Sequence, residues 1–424
     1  MRLALVNPRW HFEGSIYFGC PAPHLPLELG YAKALLESRG EEAVIFDCHL
    51  DNRDHGDLRS QLSHFSPDFT VVTTAPTYLF WRCAPPELRV PQQELEAIRD
   101  VAGTVIGIGP HASTTPRPTL EKLKADAVFR GEPEELLPLL TGSWDDIPGL
   151  CFHRNGEAVV NGPPHYADMT KLPALSWSRD TIAAHHHHHH RFDATPKGPG
   201  AEVEASRGCP YKCTFCAKEN FRNQYRRRPL DVVLAEIDQF IGQGVEYVYF
   251  VDEIFLPWKE LLRELAIRPI KIGLQTRIDL WNEETLRLLA AAHCVSIEAG
   301  VESITAAGRD FLQKGCRLET SELTSRLIFA KKLIPFVQAN LIALEGDDAE
   351  ATEKWRQELA NHGVWANKPV PLFAYPGSPD YTRRWGAADD QAWERAHSAY
   401  LNEWDKFSDI QDQRPLSLVQ LETH

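Results

Sequence analysis

Apolar runs alternate with amphipathic segments from the amino terminus to about residue 140. The runs predict short buried strands, and the segments between them have the spacing of helices. The predicted strands are 2–7, 43–47, 69–74 and 105–108, and the predicted helices are 26–38 and 91–102. Strands that alternate with helices are typical of a parallel sheet. We therefore expect a Rossmann-like α/β domain over residues 1–145.

Small and polar residues follow the predicted strands of this first domain. Thr73 and Thr74 end the third strand, and Gly107, Gly109 and His111 lie at the end of the fourth. A parallel sheet binds ligands beyond the carboxyl ends of its strands. Small side chains there leave room for a wide, flat cofactor, whereas the first strand lacks the GxGxxG turn of a dinucleotide site. We predict that these five residues contact a cofactor.

Residues 146–200 interrupt the alternation and are expected to link two domains. Arg154-Asn155-Gly156-Glu157 predicts a hairpin, and a stretch rich in proline and histidine follows it. Six consecutive histidines occupy positions 185–190. This run is interpreted either as a linker with adventitious metal affinity or as a group of imidazoles that reaches a substrate or cofactor.

A second series of strands and helices begins at residue 201. The predicted strands are 202–205, 247–251, 270–275, 295–299, 336–342 and 370–375, and the main predicted helices are 230–242, 283–292, 320–333 and 349–361. Six such units predict a partial (β/α)6 TIM barrel over residues 201–375, short of the usual eight. The segment 376–424, rich in Trp and Tyr, is expected to form a helical cap on the barrel.

Composition and charge narrow the possible functions. The chain has 424 residues, 43% of them hydrophobic, and no apolar stretch long enough to span a membrane. A net charge of −14 opposes nucleic-acid binding. The short run Arg226-Arg227-Arg228 is interpreted as a solvated loop or as partners of local carboxylates. Nine cysteines without disulfide-like spacing, and an amino terminus without a secretory signal, predict a cytoplasmic location.

Three cysteines lie together directly after the first strand of the second series, in Cys209-Pro210-Tyr211-Lys212-Cys213-Thr214-Phe215-Cys216. Thiolates at CxxxCxxC spacing can bind three corners of a 4Fe-4S cluster and leave one iron open. An open iron can chelate S-adenosylmethionine, and an electron from the cluster can then break a carbon–sulfur bond. The alternative, a zinc loop, generally needs a fourth ligand. Cys209, Cys213 and Cys216 are therefore the predicted metal ligands and catalytic centre.

This motif, with Phe215 before the third cysteine, resembles the radical S-adenosylmethionine (SAM) superfamily. The resemblance implies that Phe215 packs on the adenine of SAM. It also implies contacts at later strand ends, where carboxylates reach the methionine ammonium, an amide and a guanidinium reach the carboxylate or ribose, and a glutamate accepts from the ribose hydroxyls. These candidates are Asp252 and Glu253, then Gln275 and Arg277, then either Glu298 or Glu302.

The amino-terminal part resembles the cobalamin-binding domain of cobalamin-dependent radical SAM enzymes. The resemblance rests on three segments in matching order, 26–32, 107–112 and 130–134. It implies cobalamin as a third cofactor. The chain has no DxHxxG motif, so no histidine is marked as a lower cobalt ligand. A Rossmann-like domain that has lost cobalamin is the alternative.

The two resemblances imply a radical SAM transferase that acts on a small molecule and takes electrons from an external donor such as flavodoxin or ferredoxin. The first hypothesis is cobalamin-dependent methyl transfer to an unreactive carbon or phosphorus in a biosynthetic pathway. The second is cobalamin-free transfer of the 3-amino-3-carboxypropyl group of SAM, as in arsenical antibiotic biosynthesis. A non-catalytic cobalamin or iron–sulfur sensor is the third.

Six further cysteines are scattered along the chain, and buried packing is the expected role of such residues. Cys20 and Cys83 lie in predicted loops of the first domain. Both are therefore candidates for a substrate or second-metal role.

Overall fold

The computed structural model describes residues 1–17, 19–77, 83–185, 198–218, 222–404 and 414–423. These residues form two largely parallel sheets and a helical carboxyl-terminal segment, which confirms the predicted α/β class. None of the helices in these ranges has both the length and the apolar character of a membrane span. The histidines at 186–190 lie outside the described residues, so both interpretations of that run stay open.

The first sheet has seven strands, of which five are parallel and two form an antiparallel hairpin. The strands are β1 (Arg2–Asn7), β2 (Glu42–Asp47), β3 (Phe69–Thr73), β4 (Thr104–Ile108), β5 (Ala127–Phe129), β6 (Leu150–Arg154) and β7 (Glu157–Val160). The order β2-β1-β3-β4-β5 reverses direction between β1 and β3, which is where such sheets bind ligands. The hairpin continues the sheet past the predicted boundary at residue 145.

Helices cover both faces of this sheet, as a parallel sheet requires. They are α1 (Leu27–Glu37), α2 (His55–Phe65), α3 (Arg89–Ile98), α4 (Pro110–Thr114) and α5 (Pro116–Leu123). Along β1, Leu3 and Leu5 enter one apolar core, and Ala4 and Val6 enter the other. Because both faces are packed, a ligand of this domain has to bind at the edge formed by the strand ends.

The second sheet has six parallel strands in the order β8-β11-β12-β13-β14-β15. They are β8 (Gly200–Val203), β11 (Tyr247–Phe250), β12 (Lys271–Thr276), β13 (Cys294–Glu302), β14 (Phe336–Leu341) and β15 (Trp365–Ala366), and β9 (Ser206–Arg207) pairs separately with β10 (Arg226–Arg227). The helices are α6 (Arg179–Ala184) before the sheet, then α7 (Leu230–Gly242), α8 (Lys259–Leu265), α9 (Glu283–Ala291), α10 (Ala306–Phe311), α11 (Thr320–Leu333) and α12 (Ala349–Asn361).

The predicted sixth strand, 370–375, is wrong. Val370 forms an isolated bridge to Ile342, and the sixth strand of the sheet is β15. Pro369 and Pro371 flank Val370. Proline has no N–H to donate to a neighbouring strand, so the apolar run cannot form a continuous ladder there.

The carboxyl-terminal segment contacts both domains. It contains α13 (Pro379–Trp385), α14 (Ala392–Asn402) and α15 (Leu418–Glu422). The Lys122 ammonium of the first domain lies 2.7 Å from carboxylate oxygens of both Glu394 and Glu422. Asp380, at the start of α13, hydrogen-bonds to Thr214 of the barrel. The predicted cap therefore joins the two domains.

Candidate functional site

The three predicted metal ligands lie on one loop, residues 206–218, which we call the cysteine loop. It follows the first barrel strand, and Cys209, Cys213 and Cys216 are all half-buried. Gly208 precedes the first cysteine with a φ of +78°, and a Cβ there would lie 2.0 Å from the carbonyl oxygen of Gln224. Only glycine fits this close approach. The backbone thus turns sharply into the loop.

Thr214 anchors the cysteine loop from two sides. Its N–H donates to the carbonyl of Leu312, 3.0 Å away, just after α10. Its carbonyl accepts from the N–H of Asp380 at 2.8 Å, and its hydroxyl donates to the Asp380 carboxylate at 3.1 Å. Thr214 stands between the second and third cysteines, so the barrel and the carboxyl-terminal segment together fix the spacing of the thiols.

Asp252 and Glu253, predicted to contact the methionine ammonium, hold the start of the cysteine loop. Asp252 accepts from the Ala205 N–H at 2.8 Å and from the Ser206 hydroxyl. Glu253 accepts from the Gly208 N–H at 2.7 Å. Burial raises the pKa of Asp252 to about 7, although its hydrogen bonds oppose the rise. Contact of either carboxylate with SAM stays a prediction.

Arg277 and Glu302 also have partners within the chain. The Arg277 guanidinium donates to both carboxylate oxygens of Asp279, at 3.1 and 2.6 Å, and lies 3.9 Å from the centre of the Tyr211 ring. Glu302 lies 2.9 Å from the Lys314 ammonium. Asp279, two residues further along the chain, is thus the carboxylate partner of Arg277 in this structure, and contact of Arg277 with SAM stays a prediction.

Gln275 and Glu298 lie opposite each other on β12 and β13. The Tyr249 hydroxyl donates to Glu298 at 3.3 Å. Glu298 thus contacts a neutral phenol, whereas Glu302 is paired with a lysine. Phe215 lies half-buried in the cysteine loop.

Cations surround the thiols of the cysteine loop. Burial raises the pKa of both Cys209 and Cys213, but Lys218 acts against this rise at Cys209, and Lys314 and Arg277 do so at Cys213. A cluster held by three thiolates carries negative charge, which these side chains would balance. Within the described ranges, no three His, Cys, Asp or Glu side chains are placed to hold one metal ion. Thiolates of a cubane cluster bind three separate irons, so this finding is compatible with the donor set.

The predicted cofactor contacts at the strand ends of the first domain are only partly open to a ligand. The hydroxyls of Thr73 and Thr74 are buried and lack hydrogen-bond partners, which fits a polar ligand at the switch point of the sheet. Gly109 has a φ of +137°, and a Cβ there would lie 2.2 Å from the Thr74 hydroxyl. At Gly107, the space for a side chain is filled by Val128 and Leu123.

His111 lies beneath the carboxyl-terminal segment. Its ring stacks on Trp393 of α14 with 4.4 Å between the centroids. Burial lowers the pKa of His111 to about 3, so the imidazole is neutral. Trp393 occupies one face of the imidazole ring. Contact of His111 with a corrin stays a prediction.

Buried ion pairs join the first domain to the cysteine loop, and the sequence analysis did not identify them. The Arg207 guanidinium, fully buried, lies 2.9 Å from Glu204, 2.7 Å from Glu134 and 3.2 Å from Glu132. Arg226 donates to both oxygens of Glu132, at 2.9 and 2.7 Å. The carboxylates of segment 130–134 thus hold the arginine that lies two residues before the first cysteine.

Two arginines of the basic run at 226–228 form ion pairs with carboxylates, which agrees with one of the two interpretations given in the sequence analysis. Arg226 pairs with Glu132, and Arg228, also buried, pairs with Glu236 at 2.8 Å. Arg222 joins Glu204 at 3.0 Å to Glu253 at 2.6 Å. A buried arginine needs such partners, so the bunching of arginines at 222–228 was the available signal.

Part of the chain matches a known protein family. Residues 203–359 match the family model described as the Radical SAM superfamily. The chain is 25% identical over 332 residues to an uncharacterized methyltransferase of Pyrococcus horikoshii, covering 74% of this chain and 68% of that protein. It is 24% identical over 412 residues to the anaerobic magnesium-protoporphyrin IX monomethyl ester cyclase of Cereibacter sphaeroides, covering 88% and 63%. The chain thus spans about two-thirds of the length of these relatives.

The two-domain fold is that of a solved enzyme. The radical SAM methyltransferase TsrM from Kitasatospora setae, determined with cobalamin and a [4Fe-4S] cluster bound, matches with a TM-score of 0.72 and 19% identity, over 90% of this chain and 77% of that chain. The predicted resemblance to radical SAM enzymes with a cobalamin-binding-type domain is confirmed. The predicted enzyme class, a radical SAM transferase, agrees with the matched family and with the named methyltransferase. Of the predicted cofactors, SAM is named in the description of the family, and cobalamin and a [4Fe-4S] cluster are bound in the TsrM structure.

Proposed function

We propose that this chain, which carries a radical SAM domain at residues 203–359, uses SAM and cobalamin to methylate an unreactive carbon or phosphorus of a small molecule. The observation that carries the proposal is the cysteine loop. Its three half-buried thiols lie at the carboxyl edge of a parallel barrel, anchored at Thr214 and faced by three cations. That edge is where barrels of this kind bind their substrates.

Asp252, Glu253 and Arg207 hold the backbone and the charges at the start of the loop. Gln275 and Glu298 are partly buried and lie opposite each other on adjacent strands. In our proposal they supply an amide and a carboxylate for the hydroxyl and amino groups of SAM. When bound, the cluster supplies one electron to cleave SAM, and cobalamin carries the methyl group.

The buried hydroxyls of Thr73 and Thr74 support a polar ligand at the first domain. They lie at the end of β3, beside the switch point between β1 and β3. We infer that cobalamin occupies this edge without a histidine on cobalt, because His111 is covered by Trp393. The external electron donor, flavodoxin or ferredoxin in our proposal, would reach the cluster from outside.

Product analysis tests the proposed reaction. Anaerobic protein supplied with hydroxocobalamin, SAM and a reductant should retain about one corrinoid per chain. It should form S-adenosylhomocysteine and 5′-deoxyadenosine together, because one SAM provides the methyl group and another is cleaved reductively. Methylthioadenosine without bound corrinoid would instead establish 3-amino-3-carboxypropyl transfer. No cleavage of SAM by protein with a full cluster would contradict both reactions.

Substitution of the cysteines tests the cluster ligands. Cys209→Ala, Cys213→Ala and Cys216→Ala should each remove the brown chromophore and all cleavage of SAM, because a three-thiolate site has no spare ligand. Cys316→Ala is the matched control, since Cys316 is also half-buried but lies outside the loop. A triple variant that still binds about four irons per chain after reconstitution would refute the assignment.

A further inference from the structure

Two histidines and a glutamate come together where the first domain contacts β8, and a cysteine interacts with one of the histidines. Cys20 and His24 come from the loop between β1 and α1, His185 directly follows α6, and Glu202 lies in β8. The side chains of His24, His185 and Glu202 are at most 1% exposed. Cys20 is half-buried. It is therefore the member of the group that a small molecule can reach.

Both histidines face the carboxylate of Glu202. His24 Nδ1 lies 2.8 Å from one carboxylate oxygen of Glu202, and His185 Nε2 lies 3.2 Å from the other. His185 Nδ1 is 2.8 Å from the carbonyl oxygen of Ile182, which can only accept. Glu202 therefore orients His24 as the acidic residue of a catalytic triad orients its base.

The Cys20 thiol interacts with the side chain of His24, which follows it by four residues in the same loop. Burial lowers the pKa of His24, but the contacts with Cys20 and Glu202 outweigh burial and raise it to about 9. For Glu202, the neighbouring histidines outweigh burial and hold its pKa well below the ordinary value. A protonated imidazole beside a thiol stabilises the thiolate.

Other titratable groups of the described residues lie near this site, and Arg9 acts on one of them, His49. The Tyr17 hydroxyl donates to the Cys20 carbonyl at 3.3 Å. Burial lowers the pKa of His49 to about 4, so that ring is neutral. The groups that interact electrostatically with the site or its neighbours are Tyr17, His49, Cys83, His185, Tyr247 and Tyr375.

We propose that Cys20, His24 and Glu202 form a nucleophilic site, in which the Cys20 thiolate adds to a soft electrophilic carbon of a small molecule. With an alkene activated by a carbonyl, the sulfur bonds to the β-carbon and the π electron pair moves to the α-carbon. The α-carbon then takes the proton that His24 holds. The addition consumes no oxidant or reductant, and Glu202 acts as a positioning residue.

The pH dependence of alkylation by N-ethylmaleimide tests this site, with mass spectrometry of each cysteine peptide. The anaerobically reconstituted protein is used, so that iron protects the three cluster thiols. An ordinary thiol should react roughly fifteenfold faster at pH 8.5 than at pH 7, because its thiolate fraction rises. Cys20 should instead change less than about twofold, because a thiol beside a protonated imidazole is already ionised at pH 7.

Variants then identify the cause of the flat profile. His24→Gln should restore the steep profile at Cys20, and Glu202→Gln should shift it in the same direction. His49→Gln is the matched control and should leave the profile flat, because His49 carries no charge to lose. Buried Cys294 reports on folding, since it should stay unlabelled in every folded variant.

Two results would overturn the proposal. One is a steep profile at Cys20 in the unsubstituted protein, which decides the matter even if a variant fails to fold. The other is a flat profile that persists in folded His24→Gln protein. Alkylation needs neither SAM nor cobalamin, so its outcome is independent of the proposed methyl transfer.

Discussion

Replacing Glu132 by glutamine tests whether buried ion pairs hold the first domain against the cysteine loop. Glu132 is fully buried and accepts from Arg226 through both oxygens, from Arg207 and from the Ala167 N–H. Glutamine keeps the shape of the side chain but removes its charge. The variant therefore leaves two arginines short of a counter-charge without opening a cavity.

The expected loss follows from the pKa of Glu132. Burial raises this pKa, but the charges of Arg207, Arg226 and Arg222 outweigh burial and bring it from 4.5 to about 2. At about 1.4 kcal/mol for each pH unit, the ionised carboxylate contributes ~3 kcal/mol to the free energy of unfolding. Removing one partner of a buried ion pair typically costs about 3–5 kcal/mol, which agrees in size.

The sign of the pH dependence follows from the same values. The pKa in the folded state lies below that in the unfolded state, so the contribution is complete above the unfolded value of 4.5 and is lost as the pH falls toward 2. Glu132→Gln should therefore be about 3 kcal/mol less stable than the unsubstituted protein at pH 7. The difference should shrink steadily below about pH 4.5.

Urea unfolding of the cluster-free protein, followed by tryptophan fluorescence at several pH values, measures this difference. Glu121→Gln is the matched control, because Glu121 also forms an ion pair, with His153, but is 63% exposed. Its loss should stay below about 1 kcal/mol. Equal losses in the two variants, or a loss at Glu132 that does not change between pH 7 and pH 3, would refute the reasoning.

Three further outcomes are expected. Asp252→Asn should reduce the iron retained per chain after reconstitution more than it reduces the SAM affinity of fully loaded protein, because the Asp252 carboxylate holds the loop backbone. The reverse result would favour the predicted SAM contact. Gly109→Ala should lower the free energy of unfolding by at least ~1–3 kcal/mol, the cost of a strained backbone conformation. This loss should exceed that of Gly162→Ala, because only the first substitution also adds a clash. Equal losses would argue against the close approach of Gly109 to Thr74. Trp393→Ala should raise the pKa of His111 from about 3 toward the ordinary range, because the substitution admits water to the imidazole ring. NMR titration measures this pKa, and an unchanged value would mean that Trp393 does not enclose the ring.

The sequence predicted the regular elements well where local pattern determines them. The helices α7, α11 and α12 begin and end at the predicted residues, since each has a turn or a cap at its ends. The strand prediction at 370–375 failed because hydropathy does not register a missing N–H donor. The prolines that flank Val370 were visible and should have outweighed the apolar run.

Spacing supports a specific chemical role only for the three cysteines, and their binding of the cluster stays a prediction. A strand-end carboxylate such as Asp252 can serve a ligand or a backbone N–H, and the sequence does not distinguish these uses. Asp279, two residues after Arg277, was a visible partner that would have changed the expectation for that arginine. The grouping of Cys20 and His24 with Glu202 could not be predicted, because the rest of the first domain separates Glu202 from the other two in the sequence. The three residues come together only in the fold.

The ion pairs across the domain boundary also constrain how the protein can be recombined with its relatives. A chimera that exchanged the first domain through the end of β7 would place Arg207 and Arg226 opposite whatever the donor carries at position 132. A donor without an acidic residue there would remove a counter-charge from two guanidiniums near the predicted cluster ligands. Compatible donors can therefore be chosen by inspecting a few positions of their sequences.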